Sequence, residues 1–232
     1  MPMAAQFLLA LLLLAITACA TTQQANTVGR SGFLDDYSML QKGTGDSEAL
    51  LRYVNPAADW KQYTKVMIDP VQLWMGEGSS LRDIPQEDRI RLTSLFLGKI
   101  QNALLADYRI VREPGPHVMR LIVALTEAEA SNPVLDTISS VLPTGYLISG
   151  TKSLATGTGT FVGSASVEAK ITDAELGTLL AAAVDRRGGT KSLSGVTSKW
   201  NDVENSFQYW ATTLRYRLCQ WRGEHNCVEP KE

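Results

Sequence analysis

Side chains with reactive chemistry are few in this chain of 232 residues: three cysteines, Cys19, Cys219 and Cys227, and two histidines, His117 and His225. A general base needs a partner that orients it, and His117, placed after the Gly115-Pro116 turn where a strand begins, has none in sequence. It reads as an exposed structural histidine. No G-x-S-x-G elbow occurs, and SGTKS at 149–153 has Thr151 where a phosphate loop needs the glycine before its lysine. The run from Gly157 to Gly163 misses the dinucleotide spacing by one residue and follows no clear strand. Asp35 and Asp36 are adjacent, and neighbours on an extended segment point to opposite sides, so they cannot divide acid and base roles over one bond. No enzyme, cofactor, bound metal or nucleotide is expected. A hydrolase using pocket carboxylates of raised pKa is the enzymatic alternative.

Cys19 is different because of what precedes it. Phe7 to Ile16 is an apolar run of ten residues, too short for a hydrocarbon core that needs about 20 but suited to the core of a secretory signal. Ile16-Thr17-Ala18-Cys19 then resembles the lipobox of bacterial lipoproteins. That resemblance implies cleavage before Cys19, diacylglycerol on its thiol and an acyl group, such as palmitate, on its amine. The segment MPMAAQF lacks the Lys or Arg that such signals carry, so either the start lies upstream or the signal is atypical. Ala20 rather than Asp follows the cysteine, which by the same resemblance implies the outer membrane, with the domain facing the periplasm. Residues 1–18 are thus a signal peptide, and 19–31 a lipidated flexible linker reaching roughly 20 Å. Residues 32–232 form one domain, a length suited to a single core.

The periplasm is oxidising, so Cys219 and Cys227, eight residues apart, are expected to form a disulfide. The rival is a metal site with His225, but three ligands from one tail make an incomplete zinc set.

With 22 basic and 24 acidic residues the net charge is -2, and neither sign runs in blocks. The basic stripe that a nucleic-acid partner would require is missing. The elements run strand, helix, several strands, helix. KVMIDPVQLW at 65–74 reads as an edge strand or one broken at Pro70. Pro85 followed by Glu87 and Asp88 opens a helix to about Asp107, whose apolar stripe is Ile90, Leu97, Ile100 and Leu104 with Phe96 and Ala103. From Phe161 to Thr172 apolar and polar residues alternate, giving a strand with one dry and one mostly wet face. The following hairpin is expected to turn over Asp173 to Leu176 and to face Ala169 with Leu180, Val167 with Ala182 and Ala165 with Val184. A last helix near 202–221 buries Phe207, Trp210, Leu214, Leu218 and Trp221. The sum is an α+β fold, an antiparallel or mixed sheet of about five strands with two main helices packed on one face.

SGFLDDYSML, YVNPAADWKQYTKVMIDPV, IVREPGP, LPTGYL and SVEAKITDAELGTLLAAAVDRRGG followed by WNDVENSFQYWATTLRYRL, in that order, resemble an uncharacterised family of Gram-negative lipoproteins catalogued as domain of unknown function 3313. The resemblance implies no activity and no catalytic residue.

Function then divides into two non-enzymatic expectations. One is a binding or envelope-assembly module docking an envelope protein or polymer. Its surface would use the stretch 134–150 or the aromatics Tyr53, Trp60, Tyr63 and Trp74, although for each of these rings filling the seam between sheet and N-terminal segment is the favoured reading. Within 134–150, Val134, Leu135, Ile138, Val141 and Leu142 follow helical spacing and Tyr146 extends the apolar run. The same stretch could instead lid a bare sheet face. The other expectation is an oligomeric pore or secretion accessory in which the strand at 161–172 joins a membrane barrel.

Overall fold

A computed structural model describes residues 22–45, 47–76, 79–131, 163–189 and 198–231. Its described strands form one mixed sheet: β1 (Thr22–Gln24), β2 (Gln41–Lys42), β3 (Leu51–Val54), β4 (Lys65–Ile68), β5 (Gln72–Leu73), β6 (Arg109–Val111), β7 (Val118–Glu129), β8 (Ser164–Asp173) and β9 (Leu179–Gly189). Two α-helices accompany them among the described residues, α1 (Gln86–Leu104) and α2 (Asn201–Trp221). The order across the sheet is β2-β3-β9-β8-β7-β4-β6. β1 continues beyond β3 along the same side of β9, and β5 beyond β4 along β7. The nine strands replace the expected five because four are only two or three residues long, too short to leave an alternation in the sequence.

Pro70 interrupts the 65–74 run as expected, yet β4 is no edge: it lies between β7 and β6 and is parallel to both. α1 buries Leu92, Phe96, Ile100 and Leu104, one residue every four, while Ile90 of the expected stripe is 59% exposed. A strict four-residue step keeps contact along a short helix, and Ile90 falls off that line. The helices meet through Phe96 and Phe207, whose rings stack with centroids 4.4 Å apart. Both cover one sheet face, as expected, over a core that includes Leu121, Val123, Val167, Ile171 and Ala181.

The opposite face is not wet. Residues 28–40 lie across it as a strap, with Phe33 and Leu34 packed on Ala124, Ala182 and Val184. The polar side of β8 is therefore buried, and Glu168 is 0% exposed. Its carboxylate accepts from the backbone N–H of Ser31 at 2.7 Å and of Leu34 at 3.3 Å, and from the Tyr37 hydroxyl at 2.6 Å. A buried carboxylate with three donors is satisfied, so a charge in an alternating pattern does not by itself mark a solvent face. The expected linker is likewise docked: Thr22 pairs with Gly189, and Ala25 donates to the Arg186 carbonyl at 2.9 Å. Its polar composition hid a backbone ladder, which any sequence can supply.

The β8–β9 register also differs from expectation. Glu168 faces Val184, Lys170 faces Ala182 and Ala169 faces Ala183. Two features absorb the extra residues. Asp173 accepts from the N–H groups of Glu175 and Leu176, with Gly177 at φ +71°, so the turn is longer than the four residues expected. A register shift between Ile171 and Thr172 then leaves Leu180 between the paired Leu179 and Ala181.

Candidate functional site

Beneath α2 the sheet presents two cross-strand ranks. The first runs Arg52, Ala183, Ala169, Val123 across β3, β9, β8 and β7, and the second runs Val54, Ala181, Ile171, Leu121. Both ranks share one face by the two-residue period of the strand. Large residues stand at the β7 end, and alanines hold three of the four middle positions, with Ile171 in the fourth, so the floor dips over Ala169, Ala181 and Ala183. α2 spans the dip on Tyr209, Trp210, Thr213, Leu214, Arg217 and Trp221, with Phe96 and Ile100 of α1 closing the inner wall. The side chains leave an apolar pocket of about 150 Å³.

Its rim is polar and ordered. Arg217 donates through Nε to the Ser47 carbonyl at 3.2 Å and through Nη2 to the Ser47 hydroxyl at 2.9 Å. Arg52 pairs through Nη2 with Glu48 Oε1 at 2.9 Å. Burial pushes the Glu48 carboxyl up, but the Thr44 N–H and the Arg52 guanidinium hold it below its ordinary range. Asp185, on the next rank beside Val167, is 4% exposed and accepts from Trp210 Nε1 at 2.7 Å, Gln24 Nε2 at 2.6 Å and the Leu50 N–H at 3.1 Å. Burial raises its pKa against those donors and Arg187. This carboxylate joins β1, the turn before β3, β9 and α2 at one point, and so fixes the pocket walls.

The sequence-derived candidates fall elsewhere. Cys19 and the set Val134, Leu135, Ile138, Val141, Leu142 and Tyr146 lie outside the described residues. Cys219 and Cys227 are bonded to each other. Trp60 and Tyr63 are 6% and 3% exposed, and Trp60 packs on Trp221 with centroids 4.6 Å apart, so these rings fill a seam. Trp74 is half exposed and packs edge-on against Phe33 of the strap, donating Nε1 to the Ser31 carbonyl at 3.0 Å. His117 adopts φ +62° and its carbonyl accepts from Thr64 and Lys65. Its ring is no part of the pocket. Asp35 pairs with Lys170, whereas Asp36 accepts from the N–H and hydroxyl of Ser38, which confirms that the two carboxylates diverge. The strand expected as a barrel element, β8, is held between β7 and β9 in the sheet interior and buried on both faces for most of its length.

Sequence reasoning missed the pocket. The available signal was Ala181-Ala182-Ala183 inside a strand, where branched and aromatic residues are the usual choice.

Residues 29–214 match the family described as "Protein of unknown function (DUF3313)", and the chain belongs to that family. Comparison by sequence with curated proteins finds no match. Among solved structures, two PelC dodecamers from Paraburkholderia phytofirmans are similar at TM-scores of 0.40 and 0.38, each 14% identical. They cover 71% of this chain and 93% and 94% of their own. A DUF4136 family protein from Bacteroides thetaiotaomicron is similar at a TM-score of 0.34 and 8% identity, covering 74% of this chain and 95% of its own. Likeness at this level says nothing of assembly or activity.

Proposed function

We propose that this DUF3313 family member is a lipid-anchored outer-membrane protein that works by binding, as a non-enzymatic recognition or envelope-assembly module, and that the pocket under α2 is its ligand site. The observation that carries the reading is the alanine floor. Close packing normally leaves little space between a helix and the sheet it covers, whereas three alanines on two central strands leave a partly open pocket of about 150 Å³. Apolar concavities with a few placed polar groups are the usual form of small-ligand sites.

Anchoring through Cys19 would hold that site close to the bilayer. Thr22 is already bound into the sheet, so only Ala20 and Thr21 separate the acylated residue from the domain, a span of about 10 Å at most. A pore built from β8 has less support, since extracting that strand would dismantle the sheet.

The test is native mass spectrometry of the protein isolated from envelopes, beside an Ala169→Leu variant whose side chain fills the pocket. A bound small mass lost in the variant supports the reading. Spectra without a bound mass, or with one unchanged by the substitution, would overturn it.

A further inference from the structure

Two polar atoms at this pocket are shielded from solvent and, among the described residues, make no hydrogen bond: Arg52 Nε and Thr213 Oγ1. Thr213 has an obvious local acceptor that it does not use. A helical threonine commonly bonds the carbonyl four residues back, and the neighbouring Thr212 does so with Gln208 at 3.0 Å. Arg52 gives Nη2 to Glu48, while Nε, the donor closest to the strand, is left without a partner on a residue that lines the pocket. A buried polar group without a partner costs on the order of 1–3 kcal/mol, so two at one cavity mark a place where an oxygen acceptor is missing.

Apart from a rim that also carries Ser47, Glu48, Asp185 and Arg217, the remaining lining is mostly apolar and sets the size of what accompanies that oxygen. A cavity of about 150 Å³ lined by aliphatic and aromatic side chains is large enough for benzene, a body of six carbons. It is too small for a membrane acyl chain.

We infer that the pocket takes a small monocarboxylate, a six-carbon aliphatic or aromatic body seated on Ala169, Ala181 and Ala183 with one carboxylate oxygen accepting from Arg52 Nε and Thr213 Oγ1. A carboxylate is preferred to an alcohol or ketone because a charged acceptor opposite a guanidinium makes the stronger bond. The second guanidinium at the rim, Arg217, adds to the attraction, while of the two carboxylates in the lining Glu48 is paired with Arg52 and Asp185 accepts from three donors. This assignment rests on the reading of the pocket as a binding site and goes beyond it in naming the ligand class.

The experiment follows ¹³C-labelled alanine methyl resonances of the full mature chain, acylated and held in lipid nanodiscs, during titration with hexanoate, toluene or palmitate. The methyls of Ala169, Ala181 and Ala183 are expected to shift saturably with hexanoate and with toluene, and not with palmitate. Arg52→Lys, which keeps the charge but lacks the Nε donor, and Thr213→Val should each weaken hexanoate about tenfold and leave toluene binding unchanged. Retained toluene binding shows that each variant is folded. Toluene binding without hexanoate binding would overturn the carboxylate assignment while sparing the pocket, and would favour an apolar side chain of a protein partner as its occupant. Equal weakening of both probes also overturns the head-group role. If neither probe moves the three methyls, the pocket is a packing feature and the binding reading fails with the inference.

Discussion

The indole of Trp210 donates to the buried carboxylate of Asp185 at 2.7 Å, and through that bond α2 is tied to the central sheet beside the pocket. Burial, the dominant influence, holds the Asp185 carboxyl above its ordinary value of 3.8, against the pull of Trp210, Gln24, Leu50 and Arg187. Between the unfolded value and the raised folded value, the native state keeps a proton that the unfolded chain has released. Stability from this group therefore falls as pH rises through that window and is level above it. Asp185→Asn should remove the slope and, above the window, lower stability by about 1–3 kcal/mol, because an amide cannot accept from three donors. Melting curves of both proteins from pH 4 upward check this, and parallel pH profiles would refute it.

The strap over the second sheet face depends on Glu168. Glu168→Ala strands the N–H groups of Ser31 and Leu34 and the Tyr37 hydroxyl, and should cost about 2–3 kcal/mol. Tyr37→Phe removes one donor and should cost about 1 kcal/mol. The distinguishing measurement is amide exchange over residues 28–40, expected to accelerate in Glu168→Ala before the sheet itself opens. Uniform acceleration across β7 and β8 would mean that the strap does not open separately.

Why the two helices were legible and the strap was not follows from the range of the interactions. Phe207, Trp210 and Leu218 repeat at helical spacing, so their burial is written locally. Phe33 and Leu34 are buried by residues some ninety to 150 positions away, and nothing in SGFLDD announces Ala124 or Val184. The register failed for a related reason: the alternation in β8 and β9 fixes which residues share a face, but the Asp173 turn and the irregularity at Leu180 fix the pairing. The pocket depends on alanines aligning across two strands, and alignment is a property of that pairing. Its arginine belongs to β3, more than a hundred residues earlier.

Gly189 marks the close approach of α2 to the end of β9. A Cβ there would overlap the carboxylate of Asp202, which is held in place by the Gly163 N–H at 2.7 Å. Gly189→Ala should therefore destabilise by about 1–3 kcal/mol through the displaced acceptor. Gly98, within α1, meets nothing within 4 Å, and Gly98→Ala should stabilise by up to about 1 kcal/mol through helix propensity. Chemical denaturation of the two variants tests the contrast, and the same sign of change in both would contradict it.

The Cys219–Cys227 bond closes the tail onto the end of α2, where Ser47 donates its hydroxyl to Glu229 at 3.3 Å. A loop of eight residues corresponds to roughly 2.5 kcal/mol in the chain-entropy account. The double variant Cys219→Ala, Cys227→Ala should lose about that much, and reductant should weaken the wild type but leave the variant unchanged. Equal thiol counts in denatured wild type with and without reductant would show that the bond does not form in the cell.

The proposed anchoring can be separated from folding because Cys19 lies three positions before Thr22, the first residue of the described strand β1. Cys19→Ser removes the thiol proposed to carry the lipid and leaves in place the pairing of Thr22 with Gly189 and the Thr22 hydroxyl donating to the Gly188 carbonyl at 3.1 Å. The variant should leave the outer-membrane fraction or remain uncleaved, with the melting temperature of its domain unchanged. Acyl chains contribute about 0.8 kcal/mol per buried methylene, far more than the two intervening residues could replace by adsorption. A further variant lengthening the Ala20-Thr21 spacer with several glycines and serines should stay at the membrane, since the lipid rather than the spacer holds it. Unchanged lipid labelling and fractionation of Cys19→Ser would instead place the attachment on another residue.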